Sequence, residues 1–227
     1  GQGLQSQVGT SPGTVVVETI LTQPGNAKLV ADPDTVALSG VIVTAGEGQI
    51  AGRLYVQNPD RSSGIALQGG DGLSVGDIVS LAGLLTTVEG ERMIVATGVE
   101  KTGAGAAPVP LTIGLAKAAG ADFFYNSETG AGQRGIDHPQ GRSLNTTGLL
   151  VSFVGRVTAV NEAGVYINDG SIAGPFGVRV SGEYKPEELA VGAMLKVTGI
   201  SSLYLEAGES YLLLRPRSSE DFDVLIP

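Results

Sequence analysis

The stretch from Leu149 to Leu225 constrains the fold most. It reads LLVSFVGRVTAV, VYINDGS, FGVRVSG, VGAMLKVTGI and ESYLLLRP, five short apolar runs separated by turn chemistry. Each run has the length of a strand and is rich in Val, Ile, Leu, Tyr or Phe. The breaks carry Asn-Asp-Gly, Ser-Gly and Ala-Gly, which tolerate the positive φ that tight turns need. One segment, Lys185–Ala190 (KPEELA), suits a helical turn: Pro186 fits a first helical position, and Glu187 and Glu188 sit near the positive end of the dipole.

Three strands, a short helix and two more strands is the order of an oligonucleotide/oligosaccharide-binding (OB) barrel. An upstream copy repeats it. Pairing Gly40 with Gly155, Tyr55 with Tyr166, Gly64 with Gly177, Gly76 with Gly192, Gly83 with Gly199 and Glu91 with Glu209 aligns ALSGVIVT, LYVQNPD, SGIAL and SVGDIVSLAGLL with counterparts in the same order. Residues 27 to 225 thereby resemble the tandem OB-like repeats found near the C-terminal ends of secreted and surface proteins of environmental bacteria. The expected fold is all-β: two tandem OB-like five-stranded barrels, at 26–102 and 148–227, with an N-terminal extension at 1–25 and a connector at 103–147. The resemblance implies an extracellular or cell-surface location. It brings no diagnostic catalytic motif, so function has to be argued from sites.

Composition narrows the classes. The 35 glycines fit turn-dense β structure, since each would cost a helix about 1 kcal/mol against alanine. With no cysteine, disulfides and thiolate metal sites are excluded. Twenty-three acids against 14 bases leave a net charge of −9, a field that repels phosphate backbones, so nucleic acid is a poor partner. No apolar run reaches the ~18 residues of a membrane span. The chain starts at Gly1 rather than methionine, as a processed or trimmed N-terminus would.

After a polar, glycine-rich lead, Thr14–Leu21 (TVVVETIL) is a strong strand former stopped by Gln23-Pro24-Gly25. It lies outside both repeats. Its apolar residues Val15, Val16, Val17, Ile20 and Leu21 either fold back on their own domain as an extra edge strand or add to a neighbouring molecule's sheet. Contacts of the second kind run head to tail and generate fibres unless the rotation closes.

Asp32-Pro33-Asp34 reads as a turn rather than half a calcium site. In the connector, Leu111–Ala119 is expected to form a short helix, and Phe123, Phe124 and Tyr125 to plug the space between the barrels. Chemistry is sparse. The single histidine, His138, has Asp137 beside it in sequence, which seldom gives the geometry of a base and its orienting acid. No phosphate loop or histidine-based metal site is present. Asn145-Thr146-Thr147 matches a glycosylation acceptor or a turn into the second barrel. Tyr55 and Tyr166 hold matching strand positions, where OB proteins display aromatics that stack on ligands; packing within the sheet is the other role for them.

The sequence therefore predicts a non-enzymatic extracellular protein without a cofactor, which self-associates into a filament or surface layer through Val15–Leu21. Its partner is itself, with glycans bound or attached as a further candidate. The rival is an oligosaccharide- or single-stranded-nucleic-acid-binding module of a larger secreted protein.

Overall fold

The computed structural model describes residues 20–21, 23–136, 144–172, 177–181 and 189–227, which form two sheets. The first unit contains β1 (Ile20–Leu21), a single helical turn α1 (Pro24–Lys28), β2 (Thr35–Ile50), β3 (Arg53–Gln57), β4 (Gly64–Gln68), β5 (Asp77–Val88) and β6 (Glu91–Ala104). The strands pair in the order β2-β3-β4-β6-β5, and β5 returns to β2, so the sheet closes into a five-stranded barrel. β4 and β6 run parallel; the other barrel pairs are antiparallel.

Strand β2 makes closure possible by serving two neighbours. Its first half pairs with β5 and its second with β3, with register shifts between Leu38 and Val41 and again beyond Val43. Irregularities of this kind bend a strand around a barrel corner. Along β5 the side chains alternate: Val79, Leu81 and Leu85 point into a core with Leu38, Val43, Val56, Leu67 and Ile94, while Leu84 faces out and is 43% exposed.

The second unit contains β7 (Leu111–Thr112), β8 (Leu150–Asn161), β9 (Gly164–Asn168), β10 (Val178–Ser181), β11 (Met194–Glu206), β12 (Glu209–Arg215) and β13 (Phe222–Ile226). The pairings β8-β9-β10-β12-β11 and β11 back to β8 follow the same succession, again with the third and fifth strands parallel. Phe153, Val165, Ile167, Val180, Leu195 and Leu214 lie at its core. β13 lines the outer side of β11, and Val224, Leu225 and Ile226 are exposed.

Registers show which residues correspond. Thr35 faces Leu84 as Leu150 faces Ile200, Tyr55 faces Ala66 as Tyr166 faces Arg179, and Ala66 lies beside Met93 as Arg179 lies beside Leu213. Thr44 and Thr158 even make the same bond, donating to the carbonyls of Tyr55 and Tyr166 at 3.2 and 3.1 Å. One expected pairing is corrected. The first hairpin closes at Val88↔Glu91 and the second at Glu206↔Glu209; counted from Leu84↔Val95 and Ile200↔Arg215, the second hairpin is two residues longer in each strand. Glu91 therefore stands where the second unit has Tyr211, and Val88 where it has Tyr204.

Two further readings are corrected. Leu111–Ala119 is not a helix: Leu111 and Thr112 run parallel to Val151 and Ser152, and only Leu115–Lys117 make a 3-10 turn after Gly114. β1 meets Ala37 and Leu38 on β2 in the same manner, so the N-terminal strand is not foreign to the repeat; each unit opens with a short parallel strand on its first long strand. For Ile20 and Leu21 that pairing is within the chain. Val15, Val16 and Val17 lie outside the described residues, as do Asp137, His138 and Lys185–Glu188.

Candidate functional site

The two units meet across a buried seam. From the first unit come Ala45, Ile50, Tyr55, Ala66 and Met93, and from the second Leu150 and Ile200, each 5% exposed or less. Most polar groups inside the seam are paired, as burial demands, although Glu91 Oε1, Gln57 Nε2 and Thr147 Oγ1 are buried without a hydrogen-bond partner. The Glu91 carboxylate accepts at one oxygen from Arg53 (3.0 Å), from the Tyr55 hydroxyl (3.0 Å) and from Ser202 of the second unit (2.8 Å). Arg215 in turn donates to Ser202 at 2.9 Å. Burial, reinforced by the Glu91 charge, pushes the Tyr55 hydroxyl well above the ordinary tyrosine range, so it stays a donor. The Leu150 amide donates to Gln57 Oε1 at 3.0 Å.

The backbones approach closely where Gly64 meets Gly148. A Cβ on Gly64 would lie 2.2 Å from the Gly148 carbonyl oxygen, so a side chain at this position collides with main chain. Beside it, Lys28 is 4% exposed and donates to the Thr147 carbonyl at 2.7 Å. Burial lowers the Lys28 ammonium from 10.5 to about 8, against a smaller opposing pull from Glu91.

Because this base has a depressed value in the fold, the unfolded chain holds more protons between pH 8 and 10.5, and stability should rise with pH across that window. The full effect is on the order of 3 kcal/mol. Urea unfolding of the intact chain and of Lys28→Met at pH 7.5 to 10.5 checks this. The difference between them should carry the slope, and two parallel curves would refute it.

Burial corrects the stacking role at Tyr55: its ring is fully covered by Leu150, Ile200 and their neighbours and cannot meet a ligand. Tyr166 is different. It is half-exposed and faces Arg179 across β9 and β10; the Arg179 guanidinium lies 4.8 Å from the centre of the Tyr204 ring, and Tyr204 stacks on Tyr211 at 5.4 Å. The Tyr211 hydroxyl donates to Glu209 at 2.6 Å, which pushes its pKa up to about 12; the pKa of the Tyr204 hydroxyl is raised too, mainly by burial. Next to the rings opens a small, mostly apolar cleft, lined by Leu115, Ile136, Ile172 and Leu212 besides the two tyrosines. The sequence reading found Tyr166 but missed Arg179, Tyr204 and Tyr211. The longer second hairpin, which sets both tyrosines beside Arg179, was the available signal.

The positions of Tyr166, Arg179, Tyr204 and Tyr211 are those of Tyr55, Ala66, Val88 and Glu91 in the first unit. One face of the repeat is thus sealed by the neighbouring unit in the first copy, and is half-exposed and aromatic in the second.

Other expectations change. Phe123–Tyr125 is not the plug: Phe124 is 76% exposed and Phe123 meets it edge-on, because Leu150 and Ile200 already fill the seam. The connector contributes Gln133 instead, whose amide accepts from the Arg92 backbone at 3.0 Å and donates to the Gly90 carbonyl at 2.8 Å. Asn145 is half-buried: its Nδ2 donates to the carbonyls of Ala121 and Arg134 at 3.1 and 3.2 Å, and Thr147 beside it is 1% exposed. Asp32 serves the turn as read, with its carboxylate on Arg92 and Thr87. No helix among the described residues is long and apolar enough to cross a membrane.

No protein-family model and no curated protein matches this chain.

Proposed function

We propose that the protein is a structural subunit of the cell surface or extracellular space. It self-associates head to tail, its N-terminal segment adding as a strand to the preceding copy. Both units are read here as OB-like barrels, each opened by a parallel strand. The observation that carries the proposal is the origin of that strand in the second unit. β7 is delivered by the connector leaving the first unit, where Gly105 donates to the Gly76 carbonyl at 2.8 Å beside β5. By register Ile20 corresponds to Thr112, so Thr14–Thr19 correspond to residues 106–111. In a chain of copies, that apolar segment would lie against the preceding molecule as the connector lies against the first unit.

With Ile20 and Leu21 anchored on their own β2, Val15–Val17 are the donor. The acceptor is the outer edge of β13, which carries exposed Val224, Leu225 and Ile226 and has no partner strand among the described residues. Unpaired apolar edges invite strand addition. The net charge of −9 keeps the resulting polymer hydrated and disfavours sideways clumping.

The test is sedimentation velocity of the intact chain beside one lacking residues 1–19. The intact chain should form species that grow with concentration and the shortened chain should stay monomeric; identical behaviour of the two would refute strand addition. A second reading, a module binding oligosaccharide or single-stranded nucleic acid, has the half-exposed aromatic face of the second unit in its favour. The acidic charge speaks against the nucleic-acid form of it.

A further inference from the structure

The seam between the units has two sides, and each side has an unused counterpart elsewhere in the chain. On the receiving side, the face holding Tyr55, Ala66 and Glu91 is covered by the second unit; its counterpart, Tyr166, Arg179, Tyr204 and Tyr211, is half-exposed. On the inserting side, Leu150, Ile200 and Ser202 are buried at 1, 0 and 0% exposure; their counterparts are Thr35, Leu84 and Thr86 on the first unit. Thr35 is exposed, Leu84 is 43% exposed and Thr86 is half-exposed.

We propose that the aromatic face of the second unit receives Leu84 and Thr86 of another copy, repeating between molecules the contact that joins the units within one. This rests on the head-to-tail reading and supplies its second interface. The two surfaces differ, so the contact is heterologous and propagates as an open chain unless its rotation closes. It continues an interface already built into the molecule. Leu84 takes the part of Ile200, an apolar side chain against aromatic rings. Thr86 takes the part of Ser202, its hydroxyl at Tyr211 where Ser202 meets Glu91. Arg179 stands in the place of Ala66, which makes the contact between copies more polar than the internal seam and suits it to reversible assembly. Stacked tyrosines and an arginine are among the residues that concentrate binding energy in interfaces.

The chain has no native cysteine, which allows a direct test. The double variant Thr86→Cys with Tyr211→Cys, in the full chain with a short thiol–thiol crosslinker, should give a ladder of trimers and higher species. Either single variant should stop at the dimer. Separately, Leu84→Asp alters an exposed side chain and should raise the concentration for half-assembly at least tenfold. A double variant that stops at the dimer, with Leu84→Asp assembling like the intact chain, overturns the proposal. If assembly then still requires residues 1–19, the strand reading survives alone; if the intact chain does not assemble at all, both fall. Cellohexaose is the third arm. Saturable quenching of tyrosine fluorescence that disappears in Tyr204→Ala, in a chain that forms no ladder, would assign the face to a glycan and overturn the contact between copies.

Discussion

Replacing Glu91 with alanine should cost the protein about 3 to 5 kcal/mol, the loss expected when one member of a buried ionic cluster is removed and its partners remain. Three donors converge on this carboxylate. Arg53 keeps a second acceptor, Glu89 at 2.8 Å, at the edge of the seam. Tyr55 is fully buried, and its hydroxyl would lose its bond to Glu91; Ser202, also buried, would lose its own bond to Glu91 and keep that from Arg215. Each stranded hydroxyl costs roughly 1 to 3 kcal/mol, and the cavity left by the side chain adds to that. The effect should appear in urea unfolding as a lower midpoint with early separation of the two units. An unfolding free energy within about 0.5 kcal/mol of the parent, roughly the scatter of surface substitutions, would show that Glu91 does not hold the units together.

Gly64→Ala should be nearly as damaging for a different reason. The added methyl carbon would sit 2.2 Å from the Gly148 carbonyl oxygen and 2.6 Å from its carbon, and both are main chain that cannot swing aside. The β3–β4 end must then part from residues 147–149, which also carry the Lys28 contact and lead into β8. Overpacking typically costs about 1 to 3 kcal/mol, and this site belongs at the upper end because both partners are backbone. Gly98→Ala is the control, since nothing lies within 4 Å of its added carbon and its backbone is in an ordinary region. Thermal unfolding of the pair should show a clear loss for the first and almost none for the second. Equal transitions would mean that the close approach is not a real constraint.

Both substitutions act on the joint between the units. On the head-to-tail proposal a subunit must hold its two ends in fixed relation, and the Glu91 cluster and the glycine contact would do so without a disulfide.

Much of the fold was legible in the sequence because it depends on local chemistry. Alternation in DIVSLAGLL gives β5 its inward and outward faces, and the repeated glycines and threonines mark both copies. What was not legible depends on distant partners. Tyr55 and Tyr166 look equivalent along the chain, yet Leu150 and Ile200 bury the first completely while the second is half-buried. The two extra residues in each strand of the second hairpin displaced the expected Glu91–Glu209 match and hid the pairing of Tyr204 with Tyr211. LTIGLAKAA carries a helical composition, but parallel pairing of Leu111 and Thr112 with β8 overrides that local preference. The aromatic run Phe123–Tyr125 suggested a plug only because hydrophobicity alone does not say which apolar group reaches a seam first.

The most direct test of head-to-tail association is negative-stain electron microscopy of the intact chain. The account predicts unbranched filaments one molecule wide, with two lobes per repeat, that vanish when residues 1–19 are removed. Single two-lobed particles at every concentration would contradict it.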